Sequence, residues 1–123
     1  MDKPPALPRS PQLMSRDDSA LLVVDVQGKL ITLVPEHPRM IWNIGRLIDA
    51  AKILGVAVAA TEQYPQGLGP TIAELAEKLG EISAKIAFSC VECAEIFDNF
   101  QQRGIHKILV VGIECHVLSL NVF

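Results

Sequence analysis

Residues 19–25 read Ser19-Ala20-Leu21-Leu22-Val23-Val24-Asp25, apolar at successive positions from Ala20 to Val24 and ending on a carboxylate. A strand buried on both faces requires such an unbroken run, and strands of that kind belong to parallel sheets with helices on each side. From Pro38 to Leu54 the residues Met40, Ile41, Ile44, Leu47, Ile48, Ala51 and Leu54 recur at helical spacing, with proline in the first turn and Gly55 after the last. Val56 to Ala60 is a second continuous run, ending at Thr61, and it completes a strand-helix-strand unit. Thr71-Ile72-Ala73-Glu74 matches a capping box opening a short helix to about Leu79, and an extended segment around Ala84 to Phe88 follows. Ser89-Cys90-Val91-Glu92 is a second capping-box match, opening a helix that carries Ile96, Phe97 and Phe100 and stops at Gly104. Ile108 to Ile113 reads as the last buried strand. The fold class expected is α/β, a doubly wound, Rossmann-like parallel sheet with right-handed crossovers. Sites in such sheets form outside the carboxyl ends of strands, where the winding reverses. That rule selects Asp25 and Gln27, Thr61 to Gln63, Lys85, and Gly112 to Leu118 for scrutiny.

The chain has 123 residues, the size of one domain, with 50% hydrophobic and 20% charged residues. Eleven Lys and Arg against fourteen Asp and Glu leave a net charge of -3, so a nucleic-acid or membrane partner relying on a basic footprint is not expected. No apolar run approaches the roughly 20 residues of a transmembrane helix. Pro4, Pro5, Pro8 and Pro11 fall among polar residues, so Met1 to Arg16 is expected to be a mobile arm, with the domain running from Ser19 to Phe123. That arm lacks the features of a secretory signal, which makes a reducing, cytoplasmic compartment and free thiols the expectation for the three cysteines.

Asp25 interrupts an apolar strand, and a carboxylate there loses hydration unless a cation or hydrogen-bond donors hold it. It is read either as a structural ion pair or cap, or as a general base at the switch point. Lys85 is the only charge in Ser83-Ala-Lys-Ile-Ala-Phe88; it either snorkels to solvent or joins Asp25 in a pair able to take a proton from a thiol. Cys115, in the turn Gly112-Ile-Glu-Cys-His-Val-Leu118, is the thiol available there, or else a small buried hydrophobe. Cys90 and Cys93 have the spacing of half a zinc or redox site, but His37, His106 and His116 show no paired metal spacing. No metal and no cofactor are expected.

These stretches together resemble the isochorismatase-like cysteine hydrolases: Ala20 to Gln27, the loop from Ala60 to Thr71, Lys85 with Ala-Phe-Ser-Cys after it, and Val110 to Glu114. The loop is especially similar to that of the isochorismatase domain-containing proteins. The resemblance spans about Ser19 to Val117 and implies a hydrolase acting on a small amide or an enol ether. It implies that Asp25 is the acid/base and Lys85 its cationic partner. In the amide hydrolases a cysteine attacks the carbonyl and water releases the thioester; backbone N–H groups near Cys115 and Leu118 would hold the oxyanion, with a cis peptide near Glu114-Cys115. Members that bind a metal use an Asp-x-His pair where this chain has Thr61-Glu62-Gln63. Gln27, Gln63, Tyr64 and Leu118 are the expected substrate contacts.

This sequence departs from the pattern in two ways. The family's nucleophile stands six residues after the motif glycine, a position held here by Leu118, so Cys115 is the only candidate for a catalytic thiol near the turn. The family also continues through about two more strands, whereas this chain stops at Phe123. The expected sheet is therefore incomplete at its C-terminus, with a bare edge that favours homo-oligomers. Three readings stay open: a small-molecule hydrolase, a catalytically silent relative that binds ligand or a partner, and a thiol redox or metal role for Cys90 and Cys93.

Overall fold

The computed structural model describes residues 13–63, 65–80, 82–85 and 94–113. In chain order the elements are β1 (Ser19–Val24), α1 (Gly28–Ile31), α2 (His37–Leu54), β2 (Ala57–Gln63), α3 (Pro65–Leu68), α4 (Ala73–Leu79), β3 (Ser83–Lys85), α5 (Ala94–Gln102) and β4 (Lys107–Gly112). The four strands form one sheet in the order β3-β2-β1-β4, every pair parallel.

Alternation along β1 explains its unbroken apolar run. Leu21 and Val23 face Ile44, Ile48 and Ala51 of α2 and Leu75 of α4. Ala20, Leu22 and Val24 face the other way, onto Ile96, Phe97 and Phe100 of α5. Successive side chains point to opposite faces, and with a helix on each face no position from Ala20 to Val24 is left for a polar residue. The sheet is thus doubly wound, as the sequence implies. Helix α2 begins at His37, one residue before Pro38, and ends where Gly55 takes the left-handed conformation (φ 74°) and donates its N–H to the carbonyls of Ala51 and Lys52.

Three local expectations need correction. Thr71 does not cap α4: the helix starts at Ala73 with Ile72 at its N-cap and no side-chain cap. The Thr71 backbone is claimed instead by an antiparallel bridge to Gln27 and by the Glu62 carboxylate, which accepts its N–H at 2.8 Å. The short helix α3 occupies a stretch that reads as loop in the sequence, and α1 falls where the sequence carries no assigned element. β4 is not a buried strand, since all six of its residues keep some exposure and Leu109 is 42% exposed. Among the described residues it pairs only with β1, so one edge has no ladder partner. Residues 1–12, the segment from Ile86 to Cys93 with its capping box and cysteine pair, and the chain from Glu114 onward lie outside the described residues.

Order is already established within the expected arm, at Ser15. The Asp18 carboxylate accepts hydrogen bonds from the Ser15 N–H and hydroxyl and from the Ser19 hydroxyl, each at 3.1 Å, and from the Lys107 ammonium at 2.8 Å. Its carbonyl accepts the N–H groups of His106 and Lys107. One residue thereby joins the start of β1 to the start of β4. The Lys107 ammonium foremost, and then the Ser15 N–H, hold the Asp18 carboxyl well below the ordinary carboxylate range, with desolvation opposing them. The depressed folded-state value makes this stabilisation complete above the unfolded carboxyl's pKa of about 3.9 and removes it progressively as pH falls below that. Thermal unfolding followed from pH 7 to pH 2 should show Asp18→Asn less stable at neutrality, with a shallower loss toward acid than the unaltered chain. Parallel acid limbs would refute the assignment.

Candidate functional site

The direction of winding reverses at β1. From β1 the chain crosses to β2 and β3 on one side, then returns past β1 to place β4 on the other. The crevice at the carboxyl ends of β1 and β4 is thus the switch point of the sheet, and Asp25 and Gly112 stand at those two ends.

Asp25 leaves the strand in the left-handed conformation (φ 56°), which aspartate tolerates better than most residues. Its N–H still reaches across to the Thr61 carbonyl at 3.1 Å, while its own carbonyl accepts the Gln27 N–H at 2.9 Å, a tight reversal that lifts the chain out of the sheet. The side chain is only 3% exposed, and the Thr61 hydroxyl donates to its carboxylate at 3.0 Å. Gly112 faces this turn with φ 144°, and a Cβ there would overlap the carbonyl oxygen of Val24. Only glycine lets the exit of β4 close onto the exit of β1.

Gln27 is fully buried and fastens the loop that borders the crevice. Its side-chain amide acts like a peptide of a neighbouring strand: Nε2 donates to the Gln63 carbonyl at 2.8 Å, and Oε1 accepts the Gln63 N–H at 2.8 Å. Nε2 also donates to the Gly69 carbonyl at 2.7 Å, so both ends of the loop from Gln63 to Gly69 are tied to one side chain. Main-chain bonds from Gly28 to Pro70 (3.1 Å) and from Ile72 to Val26 (3.0 Å) extend the seam.

Of the residues selected from sequence, Asp25, Gln27 and Gln63 come together here. Lys85 ends β3 in register with Gln63, two strands from Asp25, which is about 10 Å across the sheet. Tyr64, Cys115 and Leu118 lie outside the described residues. The sequence marks Thr61 only as a strand end; its role as donor to Asp25 has a signal, a hydroxyl closing an apolar run opposite Val24, but that partner is visible only once the register is known. Among the described residues no group of three His, Cys, Asp or Glu could hold a metal ion. No described helix is long and apolar enough to cross a membrane.

The family described as the Isochorismatase domain matches residues 19–119. Isochorismatase domain-containing protein 2 of Rattus norvegicus is 37% identical over 106 residues, covering 85% of this chain and 50% of that protein. Its Homo sapiens counterpart is 36% identical over 104 residues, covering 84% of this chain and 50% of that protein. The chain spans about half the length of the curated relatives it matches. Among solved structures, the MAR1 ribonuclease from Caenorhabditis elegans superposes with a TM-score of 0.74 at 39% identity, covering 87% of this chain and 56% of that one. The YcaC gene product from Escherichia coli, described as an octameric hydrolase of unknown specificity, superposes with a TM-score of 0.72 at 21% identity over 86% of this chain and 55% of that one, a likeness of fold alone.

The Gln27 seam makes a direct prediction. Gln27→Ala removes three hydrogen bonds to buried main-chain groups and should cost about 3 kcal/mol in urea unfolding, at roughly 1 kcal/mol per bond. Gln27→Glu should be no better, because a carboxylate cannot donate to the two carbonyls. Amide exchange at Gln63 should accelerate in both variants; unchanged exchange would show that the loop is held by other contacts.

Proposed function

The chain belongs to the isochorismatase domain family, and on that premise we propose that it serves as a hydrolase of a small molecule, cleaving an amide C–N bond or an enol ether with Asp25 as acid/base. The observation that carries this reading is the buried Asp25 carboxylate at the switch point, set on a left-handed residue and met by the Thr61 hydroxyl. Backbone strain and a buried carboxyl group meeting at one residue support reading Asp25 as the acid/base.

In this reading Lys85 supplies the compensating positive charge. For an amide, the Asp25 carboxylate takes the proton from the Cys115 thiol as the sulfur attacks the carbonyl carbon. The backbone N–H groups of the turn after β4 receive the negative oxygen. Asp25 then returns the proton to the departing amine, leaving a thioester. Water, deprotonated by Asp25, releases the acid and restores the thiol. For an enol ether, water is activated by Asp25 without the thiol. Gln63, Tyr64 and Leu118 are the substrate contacts in this reading. Gln27, its amide taken up by main chain, acts as a positioning residue for that loop.

A net charge of -3 favours a small molecule over a polyanion, even though one of the similar structures is that of a ribonuclease. Turnover should therefore be sought on small amides, isochorismate and a short RNA in parallel. Asp25→Asn is expected to lower kcat/KM at least about a hundredfold. Cys115→Ser should abolish amide cleavage and spare enol-ether cleavage. Turnover of RNA alone would replace the proposed substrate class, and a folded chain inert toward all three would favour the silent, ligand-binding relative.

A further inference from the structure

The outward face of α2 carries four residues whose spacing reads the same in reverse. Trp42, Arg46, Asp49 and Ile53 follow at spacings of four, three and four residues, which keeps them on one stripe of the helix. Ile44, Gly45, Ile48 and Ala51 bury the inner face. Trp42 is 64% exposed and Ile53 84%, so the stripe presents two large apolar groups that the core does not use. Between them lie one cation and one anion. The Arg46 guanidinium stacks over the Trp42 indole at 4.6 Å from the ring centroid, which leaves its N–H edge open. The Asp49 carboxylate receives the Lys78 ammonium at 2.9 Å and still keeps 52% of its side-chain surface exposed.

Lay a second α2 antiparallel on the first, with a twofold axis passing between Leu47 and Ile48. Arg46 of one copy then faces Asp49 of the other, Trp42 faces Ile53, and each pairing occurs twice. These are the layers of an antiparallel heptad pair, and the contact is isologous, the same patch serving both copies. We propose that this stripe is the contact face between two copies of the chain. Charge complementarity selects that occupant: the antiparallel self-pairing matches every cation on the stripe with an anion and every large apolar group with another. The groove of about 520 Å³ between α2 and α4, lined in part by Trp42, Arg46, Asp49 and Lys78, borders the stripe and gives the second copy's Ile53 an apolar seat beside the indole. The inference is independent of the catalytic reading and of the open edge of β4.

Sedimentation velocity over a concentration series tests it. The unaltered chain should show a concentration-dependent dimer. Arg46→Asp places carboxylates opposite one another, and Asp49→Arg places guanidinium groups opposite one another, so each variant alone should dissociate at least about tenfold more readily. An equimolar mixture of the two should regain dimerisation as a heterodimer, because each carboxylate then meets a guanidinium across the axis. Should Asp49→Arg unfold through loss of its Lys78 partner, Trp42→Glu mixed with Ile53→Lys runs the same test without touching that bridge. A chain that stays monomeric at every concentration, a dimer indifferent to the single changes, or folded variants whose mixture stays monomeric would each overturn the proposal.

Discussion

The structure depends on β1 being buried from four directions at once. It has β2 and β4 as ladder partners on its two edges and α2 and α5 on its two faces. Six consecutive residues from Ser19 to Val24 are therefore almost wholly removed from solvent. A full-sized aliphatic side chain such as Leu22 contributes about 2 kcal/mol by leaving water, and a polar replacement anywhere on the strand would meet protein rather than solvent. That requirement explains why Ala20 to Val24 are apolar at every position, while Ser19 at the strand's start turns its hydroxyl to the Asp18 carboxylate. It also explains why the first residue able to be charged is the one just past its end.

The site follows from the same constraint. Asp25 is both the last residue that β1 positions and the first that escapes the sheet, so its place is as firm as the strand's. Its left-handed backbone and the close passage of Gly112 over Val24 are local costs of bringing two strand exits together. Cooperative packing of β1 offsets them, which is how strained geometry persists in a folded chain. Gln27 extends this order to the loop: two residues after the carboxylate, a side chain rather than a strand supplies the missing ladder partner for Gln63.

Elements governed by local periodicity are legible in the sequence. β1 has the bounds its apolar run implies, and α2 departs by one residue at its start. Asp25 is legible for the same reason, as a carboxylate at the end of such a run. Local signatures mislead where a distant partner overrides them. Thr71 has the spacing of a capping residue, but pairing with Gln27 holds it extended, and the helix begins two residues later. Gln27 is legible as a polar residue of interest beside the carboxylate, while its task is not, since its partners are main-chain atoms 36 and 42 positions away. The exposure of β4 is hidden because an apolar strand reads alike whether or not both its edges are paired.

Helix α2 shows how one periodic segment carries two independent messages. Its inner face is under the constraint set by β1, and every core residue on it can be derived from that constraint. Trp42 and Ile53 are under no such demand: a helix covering one sheet face needs an outer surface of any soluble composition, and small or charged residues would serve at both positions. Two large apolar groups flanking a cation and an anion in reversed order are not required by the fold, and their exposure lowers solubility without adding to the core. Arg46 and Asp49 do have uses within the monomer, against Trp42 and against Lys78 of α4, but the exposed apolar surface of Trp42 and Ile53 at the two ends of the stripe has none in the core, and the symmetric spacing suits a surface that meets itself.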